Sequence, residues 1–186
     1  MSIILYIGVF LFCLIHLFPA AFSGSRQGIV EKIGEKPFKG IFSLLTVLSI
    51  VVIVIGWRSS EADVIFDPPE WGRMVTPPLM LLTFFLFISL GNIKRLIRHP
   101  QLSSVILWAV AHLLSNGDSR SVALFSSLAI WAAVDMYFLN RRDGKWQKPD
   151  VVPFSADVKA VLIALVIYIG VSFAHVYISG VPLAHS

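Results

Sequence analysis

The sequence predicts an all-α, polytopic helical membrane protein with five to six transmembrane helices, including a short helical hairpin. Three observations carry this reading. Mean hydropathy is +0.80, with 56% hydrophobic and 14% charged residues, where a soluble domain carries about 25% charged residues. Apolar runs recur at about the 20-residue length that a bilayer-crossing helix needs. The cations gather in the connectors between those runs, which is the pattern of membrane topology. The pI near 9.4 therefore points to no nucleic acid, and the partner it implies is the lipid bilayer. The 186 residues read as one domain, 1–186.

Ile3 to Phe22 is the first run. It lacks a basic leading region and is long for a signal-peptide core, so it reads as a retained span. Cys13 within it is the sole cysteine. That excludes an internal disulfide, and the apolar setting makes Cys13 a buried, inert thiol. A polar connector follows, GSRQGIVEKIGEKPFKG. Ile41 to Trp57 is the second span, with Trp57 at the level of an interfacial aromatic. Arg58 to Val75 is an acidic, proline-rich connector carrying Glu61, Asp63, Asp67 and Glu70. Pro77-Pro78 opens the third span, since proline is tolerated in a first helical turn. That span runs to about Ile93 and ends in Lys94, Arg95 and Arg98.

Leu102 to Leu114 is apolar but short. As a helix it covers about 20 Å against a hydrocarbon core of about 30 Å. Asn116-Gly117-Asp118 is a turn signal, so the run is one arm of a hairpin whose tip stops short of the outer surface. Turn backbone at that depth requires cover from other helices or a wet cavity, or else a local thinning of the bilayer. Asp118 or Ser119 caps the next span, about Arg120 to Leu139. NRRDGKWQKPD is a basic connector, and Val158 to Ile178 is the last span, closed by Gly180 and Pro182.

Lys plus Arg number 4, 2, 3, 1 and 4 in the successive connectors. The alternation places the first, third and fifth connectors in the cytoplasm and both termini outside, which is the periplasm in a bacterium. It holds only if Leu102 to Leu114 turns the chain back.

Ionisable groups at membrane depth are costly and face the bundle interior, which makes them functional candidates. Four histidines qualify: His16, His99, His112 and His175. His185 reads as solvated. His16 lies three residues before Pro19, which frees the carbonyl of Ile15 and permits a bend beside the imidazole. His112 sits about 15–17 Å into the hairpin. Two imidazoles offset along the membrane normal can clasp a tilted haem, and facing helices commonly supply such ligands. Interhelical hydrogen bonding is the alternative role for each. His175, near the outer end of the last helix, is placed to approach His112 or the hairpin tip, and serves packing or a proton path in preference to ligation. Arg98 and His99 either flank the membrane or bind an anionic headgroup or cofactor phosphate. Asp135 either orients an imidazole through its second nitrogen or pairs with Arg141 or Arg142. Trp108 and Trp131 read as packing. Asn116 and Asp118 are turn and cap residues that need partners if the tip is buried. No nucleophile–base set, phosphate-cradling loop or His-x-x-x-His pair is present, so no residue is assigned as catalytic.

His16 with Pro19, then RHPQL, AHLLSNGD and NRRDG, and finally His175 with Tyr177 and Gly180-Val181, resemble the NnrU family of membrane proteins. The resemblance covers essentially the whole chain. It implies a bacterial inner-membrane protein linked to denitrification through nitrite and nitric oxide metabolism, with other membrane redox or denitrification proteins as partners. The same family includes the 15-cis-zeta-carotene isomerase, a haem b enzyme. By motif position its two haem-ligating histidines fall on His16 and His112, so the implied cofactor is haem b and the implied metal its iron. RHP with an aliphatic hairpin also resembles the isoprenylcysteine methyltransferase-like membrane fold, where an RHP-x-Tyr segment helps hold S-adenosylmethionine. Gln101, and Arg141-Arg142-Asp143 in place of a glutamate pair, depart from it. A cofactor-free assembly factor and a lipid-substrate enzyme, of isomerase or methyltransferase type, are the alternative functions.

Overall fold

The computed structural model describes residues 3–181, and its regular elements over them are helices. The helices are α1 (Ile3–Ala21), α2 (Ser23–Ile33), α3 (Glu35–Arg58), α4 (Gly72–Ile88), α5 (Pro100–Leu113), α6 (Ser119–Asp143) and α7 (Phe154–Ser179). A 3-10 turn, Gly91–Arg95, links α4 to α5. α1, α3, α6 and α7 are long and apolar enough to cross a membrane, and α4 and α5 are shorter apolar helices. The protein is an all-helical membrane protein, as its composition predicts. His185 lies outside the described residues.

Several expected boundaries move. The connector after the first span is helical: α2 fills it, and α3 begins at Glu35 rather than Ile41. The stretch is rich in Glu, Lys and Gln, which are strong helix formers whatever their polarity. A Lys39–Glu35 ion pair of 2.9 Å spans one turn, and Gly34, at φ 88°, separates the two helices. The third span starts at Gly72 rather than Pro77 and ends at Ile88 rather than Ile93. Its first turn is closed by Gly72, Met74 and Val75, whose N–H groups donate to the carbonyls of Pro69 and Trp71, so the two prolines fall one turn later. Its end is set by Ser89, which takes a left-handed conformation at φ 45°. Gly91, at φ 73°, then lies directly against Asp157 of α7. The Asp157 carboxylate accepts from the Asn92 backbone and side-chain N–H groups, each at 2.7 Å.

α1 packs on α3 and α6, α6 on α5, α5 on α4, and α4 on α7, which meets α3 again only at its far end. Leu5 and Val9 of α1, Ala109 of α5 and Phe125, Leu128, Trp131 and Ala132 of α6 form the core. Small residues permit the closest approach, as is usual between membrane helices. A Cβ on Gly8 would lie 2.7 Å from Ile53 N, and Gly56 rests against the Ile4–Leu5 backbone.

The chain reverses where the hairpin reading requires. The connectors after α1, after α4 and after α6 share one end, here the basic end. The connector after α3 and the tip after α5 share the other, the tip end. The three connectors richest in Lys and Arg thus lie together.

The hairpin tip is covered, and by an unexpected segment. The acidic connector lies across it as extended chain: Ile65 and Phe66 N–H groups donate to Gly117 O at 2.9 and 3.1 Å, and Ser119 N–H to Asp63 O at 2.8 Å. Val64 and Asp118 form a bridge between them. A side chain at buried Gly117 would strike the Phe66 carbonyl. The turn's polar backbone is thereby satisfied without a covering helix.

Candidate functional site

The histidines assemble into two clusters, one at each end. His112 is in the last turn of α5, where its Nδ1 lies 2.9 Å from Trp108 O. A carbonyl only accepts, so Nδ1 carries the proton, and in the neutral tautomer that this bond selects Nε2 is the lone-pair nitrogen. The ring stacks on Phe125 at 4.4 Å between centres and lies 5.0 Å from Trp108. Facing it from α7 is His175, its ring centre 6.4 Å away and its plane 26° off. His175 Nδ1 is 2.9 Å from Val181 O, with Ser179 Oγ at 3.2 Å, so its Nε2 is likewise the lone-pair nitrogen. No hydrogen bond reaches either Nε2 among the described residues. α7 is held in place here by Trp57 Nε1, which donates to Ser179 O at 3.0 Å, and by Arg58, which donates to Tyr177 O at 2.8 Å. Arg120 closes the site from outside, its guanidinium 4.5 Å over the Trp57 ring.

His16 belongs to the basic end. Its Nδ1 lies 2.8 Å from Phe12 O, which again leaves Nε2 as an acceptor. Its ring stacks on Phe12 at 4.0 Å and meets Phe42 and Trp131 edge-on at 5.3 and 5.4 Å. It faces a crevice of about 820 Å³ bounded by the ends of α1, α5 and α6 and the chain after α6, with Trp131, Asp135, Lys94, Arg98 and Lys145 on its walls. His16 and His112 have no ring neighbour in common. Their α6 neighbours, Trp131 and Phe125, are six residues or about 9 Å apart along the helix. The imidazole brought to His112 is that of His175.

Asp135 makes no hydrogen bond or close ion pair with any expected partner, although the charge of Arg142 acts on it. His16 Nδ1 is committed to a backbone carbonyl, Arg142 pairs with Asp143 at 2.7 Å, and Arg141 donates to the Tyr137 hydroxyl. Asp135 is 8% exposed, and its Oδ1 is buried without a hydrogen-bond partner among the described residues, as is Trp131 Nε1. Sequence reasoning took Trp131 for packing. The signal it left was the spacing Trp131–Asp135, four residues apart and so on one helix face.

The remaining candidates have structural partners. Arg98 donates to Gly144 O at 2.8 Å, and His99 Nε2 meets Asn140 Oδ1 at 2.9 Å, so both fasten α5 to the end of α6. Asn116 donates to His112 O at 2.8 Å and closes the C-terminus of α5. Asp118 caps α6, accepting from Ser121 N–H at 3.1 Å and Ser121 Oγ at 2.6 Å. It also pairs with Arg120 at 3.5 Å. Among the described residues no group of three or more His, Cys, Asp or Glu side chains is placed to hold a metal ion. What the tip end offers is instead a pair of imidazoles.

A family model described as "NnrU protein" matches residues 4–183. No curated protein and no solved structure matches the chain.

Proposed function

The chain belongs to the NnrU family, and we propose from that premise that it is a haem b-binding redox protein of the bacterial inner membrane, serving nitrite and nitric oxide metabolism. The observation that carries the haem reading is that α5 and α7 bring His112 and His175 together, their ring centres 6.4 Å apart, with no hydrogen bond on either Nε2 among the described residues. The donor chemistry fits as well. A ligating histidine ordinarily donates its other N–H to a carbonyl or carboxylate, which fixes the tautomer and the ring, and Trp108 O and Val181 O receive those protons. Haem bound there supplies one-electron chemistry at its iron. The chain supplies the rest: Phe125 and Trp108 exclude water from the His112 side, Ser179 steadies His175, and Trp57 anchors the end of α7. On this reading His112 and His175 would hold the iron, His112 as the family resemblance implies and His175 in the place that the resemblance gives to His16.

The test is the absorption spectrum of detergent-purified protein from haem-replete cells. Wild type shows a Soret band. His112→Ala and His175→Ala lose its six-coordinate form, and His16→Ala retains it. Loss in His16→Ala with retention in His175→Ala returns the second ligand to His16. A colourless, folded wild-type protein overturns haem binding and leaves a cofactor-free assembly factor as the better reading.

A further inference from the structure

We propose that the basic-end crevice binds the phosphodiester headgroup of an anionic phospholipid through Lys94, Arg98 and Lys145. The site is separate from the histidine pair at the tip end and does not depend on haem there.

Three cations from three stretches of chain converge on this crevice. Lys94 comes from the 3-10 turn, Arg98 from the residues just before α5, and Lys145 from the chain after α6. None of the three forms a close ion pair among the described residues. Lys94 and Lys145 are exposed, and their ammonium groups have no hydrogen-bond partner there. Arg98 is fixed at the wall by one bond, to Gly144 O at 2.8 Å. That bond sets the guanidinium in place and spends only one of its five N–H groups.

Two carboxylates line the same crevice, and neither cancels this charge. Asp143 is near enough to feel Arg98, but its two oxygens are taken by Arg142 at 2.7 and 3.2 Å. Asp135 is 8% exposed, and its Oδ1 is sealed from the open space. The start of α5 also lies on the wall, with no side chain capping it, so the helix dipole adds to the positive field. The crevice thus has a surplus of positive charge around about 820 Å³ of open space. An anion relieves the repulsion among those charges.

The setting favours a lipid as the source of that anion. α1 and α6, whose ends bound the crevice, are long and apolar enough to cross a membrane, so its mouth lies at headgroup level. Leu102, Leu139 and Trp146 give one part of the wall an apolar character, suited to the glycerol backbone behind the phosphate. Gln101 and Gln147 line another part and offer amides to headgroup hydroxyls. Basic pockets between membrane helices are a known seat for such headgroups. Cations that merely flank a membrane helix attract anions without a defined site, and that difference can be measured.

The experiment is a calorimetric titration of the delipidated, detergent-purified full-length protein with a short-chain phosphatidylglycerol. It is run at about 0.15 M salt, where long-range attraction between exposed charges is largely screened. Saturable binding is expected. Phosphatidylcholine of the same chain length, which has no net charge, fails to compete, and so does inorganic phosphate at the same concentration. Lys94→Gln and Lys145→Gln each raise the Kd about fivefold. Lys32→Gln and Lys36→Gln, which remove the same charge from the same end outside the crevice, leave it unchanged. The competition in the wild-type protein decides the matter even if a substituted chain misfolds. Absence of saturable binding overturns the proposal, as does equal competition by phosphatidylcholine. Equal competition by inorganic phosphate overturns the lipid source. A Kd unmoved by both crevice substitutions, or weakened as much by Lys32→Gln and Lys36→Gln, reduces the crevice to an ordinary basic surface and overturns it too.

Discussion

The ring of His112 on α5 faces that of His175 on α7 at 6.4 Å between centres and 26° between planes, although α5 and α7 are not packing partners. Both Nδ1 atoms are engaged by backbone carbonyls, and neither Nε2 has a hydrogen-bond partner among the described residues. Two neutral acceptors cannot bond each other, and the proposed function joins them through something bound between them.

If that something is haem iron, His175→Gly should convert the spectrum from six- to five-coordinate, and added imidazole should restore it. The same rescue attempted on His16→Gly should change nothing. Restoration in His16→Gly alone would reassign the ligand.

The strap over the hairpin tip depends on the missing side chain at residue 117. Gly117→Ala forces a methyl group into the Phe66 carbonyl, and overpacking of this kind costs about 1–3 kcal/mol. Thermal unfolding in detergent should shift downward, and hydrogen exchange of residues 61–68 should accelerate. Unchanged exchange would mean that the strap is not seated on the tip.

Two glycines separate packing from propensity. Gly56→Ala drives α3 off the Leu5 backbone of α1 and should destabilise by about 1–3 kcal/mol. Gly28 in α2 has nothing within 4 Å of its would-be Cβ. Gly28→Ala should therefore stabilise by about 0.5–1 kcal/mol, through helix propensity alone. Comparative melting in one detergent checks both, and equal effects would refute the close α1–α3 crossing.

Asp118 has two separable duties. Asp118→Ala removes the α6 cap at a cost of about 0.5–2 kcal/mol and also removes the Arg120 partner. Asp118→Asn keeps a capping oxygen but no charge, and should recover most of the loss. An Asn variant as unstable as Ala would put the weight on the ion pair instead.

Much of this architecture is legible in the residues. The spacing of apolar runs gives the spans, and the shortness of Leu102 to Leu114 with Asn116-Gly117 gives the hairpin and its need for cover. Asp118 is recognisable as a cap from its place before Ser119. The helix in residues 23–33 is not recognisable from polarity, because polarity marks exposure and not irregularity. The break at Ser89 is set from a distance, by Asp157 gripping Asn92. The approach of His175 to His112 is hidden for a related reason. α7 is apolar around its circumference, so no stripe fixes its rotation, and bonds at its ends do so instead. Trp131 and Asp135 each have an ordinary role when taken singly. Only their shared face, and the absence of partners on it, marks them.

Those end bonds have a mechanical consequence. α7 is pinned near its start by Asn92 on Asp157 and near its finish by Trp57 on Ser179, with α4 along one side and most of its length otherwise unsupported. Held at both termini and flanked by α4 on one side, α7 has its orientation in the bundle fixed by bonds at its ends rather than by a packed stripe along its length.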